Sequence, residues 1–201
     1  MKLSRRLVLT GGVTALCVPR AWAGYRERAL ALATTLPEGA RFRPDLEAEL
    51  LRLASGYRQG KGLPTLQAGD VFALAARAQA ADMMENNFIG HSASDGTPFE
   101  RRLRILGGNI ERFGAVGENA ARDSKKTEVN AAKAAALFQQ WVDSRPHRAN
   151  LKNRDFVYAA TGVVQKGNVI WAIQIFWGQE RKGVFFGTNL APTAPGTSPS
   201  Q

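Results

Sequence analysis

Val169-Ile170-Trp171-Ala172-Ile173-Gln174-Ile175-Phe176-Trp177 is the stretch on which the fold turns. A strand with one wet face alternates apolar and polar residues, whereas this one is apolar in nearly every register and must be covered on more than one face. Just upstream, Val157, Ala159, Thr161, Val163 and Val164 carry the same β-forming pattern. Gln165-Lys166-Gly167-Asn168 between the two runs reads as a hairpin turn. A third strand is expected over Gly114 to Gly117, just before Glu118. Helices on both sides of an antiparallel sheet follow, which makes the expected class α+β: a three-layer α-β-α sandwich with a central antiparallel sheet.

The rest of the chain supplies those helices. After Pro44, Leu46, Leu50, Leu51, Leu53 and Ala54 recur at helical spacing, and Gly56 and Gly60 mark the end of the helix. Asp70 reads as the N-cap of a long helix from Val71 to about Asn87. Its face of Val71, Leu74, Ala75, Ala78, Ala81, Asp82 and Met83 is almost wholly small or apolar, and its alanines let another element pack close. Pro98 opens a short helix through Phe99, Leu103 and Leu106 that stops at Gly107-Gly108. Thr127 or Ser124 is the expected cap of a further helix with Val129, Ala132, Ala135, Ala136, Leu137, Trp141 and Val142 on its buried side. A one-turn helix is expected around His147.

The N-terminus speaks to compartment. Ser4-Arg5-Arg6 precedes an apolar run from Leu7 to Val18 that ends at Ala21-Trp22-Ala23, the build of an export signal cleaved after Ala23. The paired arginines favour the twin-arginine route, and the run is too short to span a bilayer as a stable helix. Leu16 before Cys17 argues against a lipoprotein site, and the alternative of an uncleaved anchor is disfavoured by the well-formed cleavage motif. The organisation is then a signal over 1–23, an N-terminal surface extension over 24–41, one domain over 42–186, and a Pro/Thr/Ser/Gly tail over 187–201 read as disordered. Cleavage removes the single cysteine, so the mature chain must stand on its apolar core. It also leaves 23 basic residues against 17 acidic ones, a net charge of +6 instead of +10. The basic residues are scattered without interleaved aromatics, so nucleic acid is not an expected partner; an anionic envelope polymer suits the charge better. The mature chain is expected to carry no transmembrane helix and to work in the periplasm or outside the cell.

The chain's two histidines both sit among turn formers, His91 in His91-Ser92-Ala93-Ser94-Asp95-Gly96-Thr97-Pro98 and His147 in Ser144-Arg145-Pro146-His147-Arg148-Ala149-Asn150. Between them lies Gly117-Glu118-Asn119, where the glycine permits close backbone approach and the carboxylate is expected to point into a cavity wall. The positive end of a helix dipole near His147 would keep that imidazole neutral. His91, Glu118 and His147 are also a sufficient first set of ligands for a zinc ion or another divalent cation, although no His-Glu-x-x-His helix fixes two of them together. Ser144 and Asn150 join the cavity set, Asn150 as a group that satisfies nearby backbone. Each of the three principal residues has a plainer alternative: exposed loop residues at 91 and 118, and a capping histidine packed on Trp141 at 147.

Taken in order, the His91–Phe99 loop, Gly117-Glu118-Asn119, the segment Trp141 to Leu151 and the strand Trp171 to Phe176 resemble the CAP superfamily of cysteine-rich secretory, antigen-five and pathogenesis-related proteins. The likeness runs over about residues 45 to 179 and is greatest to the cysteine-free bacterial branch. It implies the α-β-α sandwich and a surface cavity lined by His91, Glu118 and His147. Three departures bear on function. Ser144 stands where animal members place a second cavity glutamate, Gln79 lies near where bacterial relatives often carry a histidine, and Ser144-Arg145-Pro146-His147 replaces serine-proline-glycine-histidine. A permanently bound zinc is less expected with this reduced set.

The resemblance implies secretion, lipid or sterol binding and envelope roles, with no one reaction common to the family. The favoured reading is an exported, non-catalytic or weakly catalytic binding domain whose cavity takes a small ligand or divalent cation; an envelope polymer, a lipid or a small hydrophobic ligand would be its partner. The rival is a hydrolase of envelope polymer or peptide with Glu118 as general base and the histidines orienting water. The third is a scaffold in which the histidines merely hold Glu118 and the loops.

Overall fold

A computed structural model describes residues 24–181, so the export signal expected over 1–23 and the tail expected over 187–201 lie outside the described residues. The hairpin is its centre: β4 (Tyr158–Lys166) and β5 (Val169–Trp177) pair antiparallel, with Gly167 at φ +56° in the turn. β3 (Val116–Asp123) pairs antiparallel with the other side of β5, and β1 (Ala40–Phe42) with β4, giving the order β1-β4-β5-β3. Among the described residues the one parallel pairing is the two-residue β2 (Gln67–Ala68) on β4.

Alternation along β5 sorts the core into two layers. Trp171, Ile173, Ile175 and Trp177 pack with one set of helices, and Ile170, Ala172 and Phe176 with the other. The first set is α1 (Tyr25–Thr34), α3 (Ala73–Glu85) and α4 (Phe99–Gly107); the second is α2 (Pro44–Gln59), α5 (Ala131–Asp143) and α6 (Arg145–Lys152). This is the expected α-β-α sandwich. The alanines of α3 bring it onto the sheet so closely that a Cβ on Gly162 would lie 2.4 Å from the Ala76 carbonyl carbon. None of the described helices is long and apolar enough to cross a membrane.

Several local expectations are corrected. Asp70 does not cap α3, which starts at Ala73 after Phe72; burial of the Phe72 ring against Phe113 and Trp177 fixes the entry instead. Asn130, not Thr127 or Ser124, caps α5 by accepting from the Ala132 and Lys133 N–H groups. Thr127 is instead recruited by the buried Lys133, whose ammonium also pairs with Asp123 at 2.9 Å. The buried face of α5 is accordingly Lys133, Ala134, Leu137, Phe138 and Trp141, while Ala132 and Ala136 face water. α6 runs two turns rather than one. The third strand is longer than Gly114–Gly117 and contains Glu118 and Asn119 instead of ending before them. Residues 25–34 are not a surface extension either: α1 buries Ala29 and Leu32 and packs on α3, so the folded unit begins well before residue 42.

Candidate functional site

β3 is the outermost strand on its side of the sheet, which explains how a loop from one helical layer and a helix from the other meet. Its third residue, Glu118, shares a face with Ala120 toward α3 and α4, and the next, Asn119, points the opposite way, toward α6. The Glu118 carboxylate is almost fully buried, with 1% of the side chain exposed. A buried carboxylate survives only when its charge is met, and here it is met by a residue absent from the sequence reading. Arg102 of α4, itself wholly buried, places Nη2 at 2.8 Å from Glu118 Oε2 and 3.0 Å from Oε1. The same guanidinium donates through Nε and Nη2 to the His91 carbonyl, at 3.1 and 2.8 Å. One cation thus anchors both the acid and the backbone of the loop residue that faces it.

His91 Nδ1 lies 2.9 Å from Glu118 Oε1, and about half of its side chain, 52%, remains open to solvent. The loop around it is held from beneath by α3. Gln79 Nε2 donates to the carbonyls of Gly90 and Ser92, one on each side of His91, both at 3.0 Å. Asp82 accepts from the Ser94 N–H at 2.7 Å and the Ser94 hydroxyl at 2.7 Å. Thus Gln79, expected only as a missing histidine, is a fastener of the His91 loop.

His147 is the third residue of α6, half-buried, with its ring edge-on to that of His91 and the centroids 6.1 Å apart. It makes no hydrogen bond to Glu118. Its helix is tied to β3 by amides: Asn119 Nδ2 donates to the His147 carbonyl at 3.2 Å, and Asn150 Nδ2 donates to the Glu118 carbonyl at 3.0 Å and to Asn119 Oδ1 at 2.9 Å. Asn150 therefore has the backbone-satisfying role expected of it. Gly117 makes room for this latch, since a Cβ there would lie 2.8 Å from the Phe156 ring and 3.1 Å from Asn150 Oδ1. Ser144 forms the joint between α5 and α6, accepting the Arg148 N–H through its carbonyl at 2.8 Å; no hydrogen bond brings its hydroxyl to the Glu118 cluster. Trp141 turns its ring to Phe138, so the capping-histidine alternative finds no ring pair between Trp141 and His147. A separate hollow of about 650 Å³ at Arg104, Gly108, Asn109 and Glu111 shares no residue with this site.

The two imidazoles have opposite electrostatics. The hydrogen bond to Glu118 holds the His91 pKa above the ordinary imidazole value, against burial and the Arg102 charge. Burial, reinforced by the charge of His91, holds the His147 pKa below it despite Glu118. That direction is the one expected for His147, with burial as its leading cause. Zinc with His91, His147 and Glu118 as its three ligands does not fit this arrangement, because a fixed guanidinium already sits on both oxygens of the carboxylate. Among the described residues no three His, Cys, Asp or Glu side chains are grouped to hold a metal ion.

The family model described as the cysteine-rich secretory protein family, CAP, matches residues 51–177. The chain belongs to that family. A relative in Bacillus subtilis (strain 168), the uncharacterized protein YkwD, is 32% identical over 129 residues, which are 64% of this chain and 46% of the relative. The CAP chain described here spans less than half the length of the curated relatives it matches. Among solved structures, an extracellular SCP-domain protein from Bacillus anthracis str. Ames aligns with a TM-score of 0.55 at 24% identity, over 68% of this chain and 41% of that one. An outer surface protein of Borrelia burgdorferi aligns with a TM-score of 0.58 at 17% identity, over 70% of this chain and 99% of that one. These two likenesses show the fold. The family name does not describe the composition, since this member has one cysteine in 201 residues.

Proposed function

We propose that this CAP-domain chain is an exported, non-catalytic binding protein whose His91–Glu118–His147 site takes a small ligand bearing a carboxylate or phosphate group. The observation that carries the reading is the grip of Arg102 on both Glu118 oxygens. With its charge met by Arg102, both sites on Oε1 taken by His91 and Arg102, and Oε2 also held by Arg102, the carboxylate is a weakened ligand for a cation and a weakened general base. What remains open is a pair of adjacent imidazoles, His91 inclined to carry a proton and His147 able to donate one N–H while neutral. Such a pair suits an acceptor group with negative charge, of the kind that envelope polymers and lipid headgroups present.

The test is an NMR titration of the mature chain with inorganic phosphate and, separately, zinc chloride, following both imidazole rings. Phosphate should move both ring signals saturably, and His91→Ala or His147→Ala should abolish the response while leaving the fold intact. Stoichiometric zinc uptake without a phosphate response would favour the cation reading and overturn this one, and silence toward both probes would leave only a scaffold. Export rests on the leader: Arg5→Lys with Arg6→Lys should strand the precursor in the cytoplasm, whereas normal export would exclude the twin-arginine route.

A further inference from the structure

The amides of Asn119 and Asn150 hold the flank of α6 that faces β3. Its C-terminal end is held by a residue of another helix, Arg58 of α2, which is wholly buried. Arg58 Nη1 donates to the Leu151 carbonyl at 3.2 Å and to the Asn153 carbonyl at 2.7 Å, Nη2 to the Phe156 carbonyl at 3.0 Å, and Nε to the Pro64 carbonyl at 2.7 Å. Four of its five N–H donors thus meet neutral backbone acceptors. Burial draws its pKa below the ordinary arginine value, and no carboxylate holds it up. A buried cation without a counter-charge is costly, and what offsets the cost here is the satisfaction of carbonyls from three separate segments: the turn after α2, the end of α6 and the approach to β4.

Two of those carbonyls close the helix that carries His147. The last carbonyls of an α-helix have no partner within it and form the negative end of its dipole, so a guanidinium there is both a cap and a counter-charge. Leu151 lies one turn after His147, and the α-helical pattern closes the Leu151 N–H on the His147 carbonyl, the same carbonyl that accepts from Asn119. Through the Phe156 carbonyl the hold extends to the ring that packs against Gly117, next to Glu118. The geometry points to Arg58 as the positioning residue of His147: by capping α6 from α2, it sets where that imidazole stands beside His91 and Glu118. The claim concerns the placement of the ring and holds whatever ligand the site takes.

The measurement is NMR of the mature chain, following α6 amide exchange and both imidazole rings, in Arg58→Lys and in Leu50→Ala. Arg58→Lys keeps the charge, but its single nitrogen cannot span all three segments. The α6 amides should then exchange about tenfold faster relative to those of α5, and the His147 ring should shift and titrate nearer 6.5 while His91 stays where it was. Leu50→Ala empties a wholly buried position of the same helix and removes no donor; it should lower the unfolding temperature while leaving the α6-to-α5 exchange ratio within about twofold and the His147 ring unmoved. An unchanged His147 ring in Arg58→Lys would overturn the assignment, and so would the same shift in Leu50→Ala, because general loosening of α2 would then explain it. The unaltered chain gives a second reading: in urea short of global unfolding, the Arg58 side-chain N–H groups and the α6 amides should lose protection together, and α6 opening while Arg58 stays protected would contradict the proposal.

Discussion

The two sides of the site are built from different chemistry. The His91 side is fastened chiefly by charge, Arg102 on Glu118 and Asp82 on Ser94 and Arg28, with the Gln79 amide added beneath the loop. The His147 side is fastened by neutral amides, Asn119 and Asn150, which tie α6 to β3 without a formal charge. The difference shows in the rings themselves, one drawn toward protonation by the carboxylate and the other driven from it by burial. Two histidines at one strand edge are therefore not interchangeable, and what separates them is the charge balance behind each.

The largest test of that contrast strikes the charged side. Arg102→Met leaves Glu118 buried with only His91 to face it, and about 3–5 kcal/mol of stability should be lost in urea unfolding. Adding Glu118→Leu should recover much of that loss, since the penalty belongs to the stranded charge. Asp82→Ala comes next, because it strips the Ser94 N–H and Arg28 of their acceptor; about 2 kcal/mol should go, with faster amide exchange confined to the loop from His91 to Thr97. Asn150→Ala, on the neutral side, should cost about 1 kcal/mol and free α6 without disturbing the His91 loop. If Asn150→Ala proves as damaging as Arg102→Met, the division into a charged and a neutral side is wrong.

The smallest effects are in pH dependence, and the two rings have opposite signs. His91 has a folded pKa above the unfolded 6.5, so its stabilisation is complete below 6.5 and is lost as pH rises through the folded value. His147 has a folded pKa below 6.5, so its stabilisation is complete above 6.5 and is lost as pH falls through the folded value. His147→Ala should thus leave a chain that weakens from pH 6.5 upward, and His91→Ala one that weakens from pH 6.5 downward. Thermal unfolding across pH 5 to 8 reads both.

The layered fold was legible because the β5 run, apolar on both faces, admits no other arrangement than cover on two sides, and because Leu46, Leu50, Leu103 and Leu137 keep helical spacing. The two histidines and Glu118 were legible as residue types in turn-rich surroundings. Their fasteners were not: Asp82 was counted into the small-residue face of α3, and Arg102 was passed over among the scattered basic residues. Asp82 interrupts the small-residue face of α3, and Arg102 lies three residues after Phe99 beside Leu103, on the side of α4 that turns inward. A charge inside an apolar stripe implies a buried partner of opposite sign, and that signal was present in both helices. The caps were missed for a different reason: Asp70 and Thr127 have the right chemistry, but the burial of Phe72 and the reach of Lys133 override local preference.

The central claim is that Arg102 consumes the charge of Glu118, so that the site presents two unlike imidazoles instead of a metal-ligand set. It is tested most directly by following the ring protons of His91 and His147 by NMR from pH 4 to 9, with and without one equivalent of zinc chloride. The account predicts that His91 titrates above 6.5 and His147 below it, with both curves unmoved by zinc. Coincident or inverted titrations, or zinc suppressing both, would contradict it.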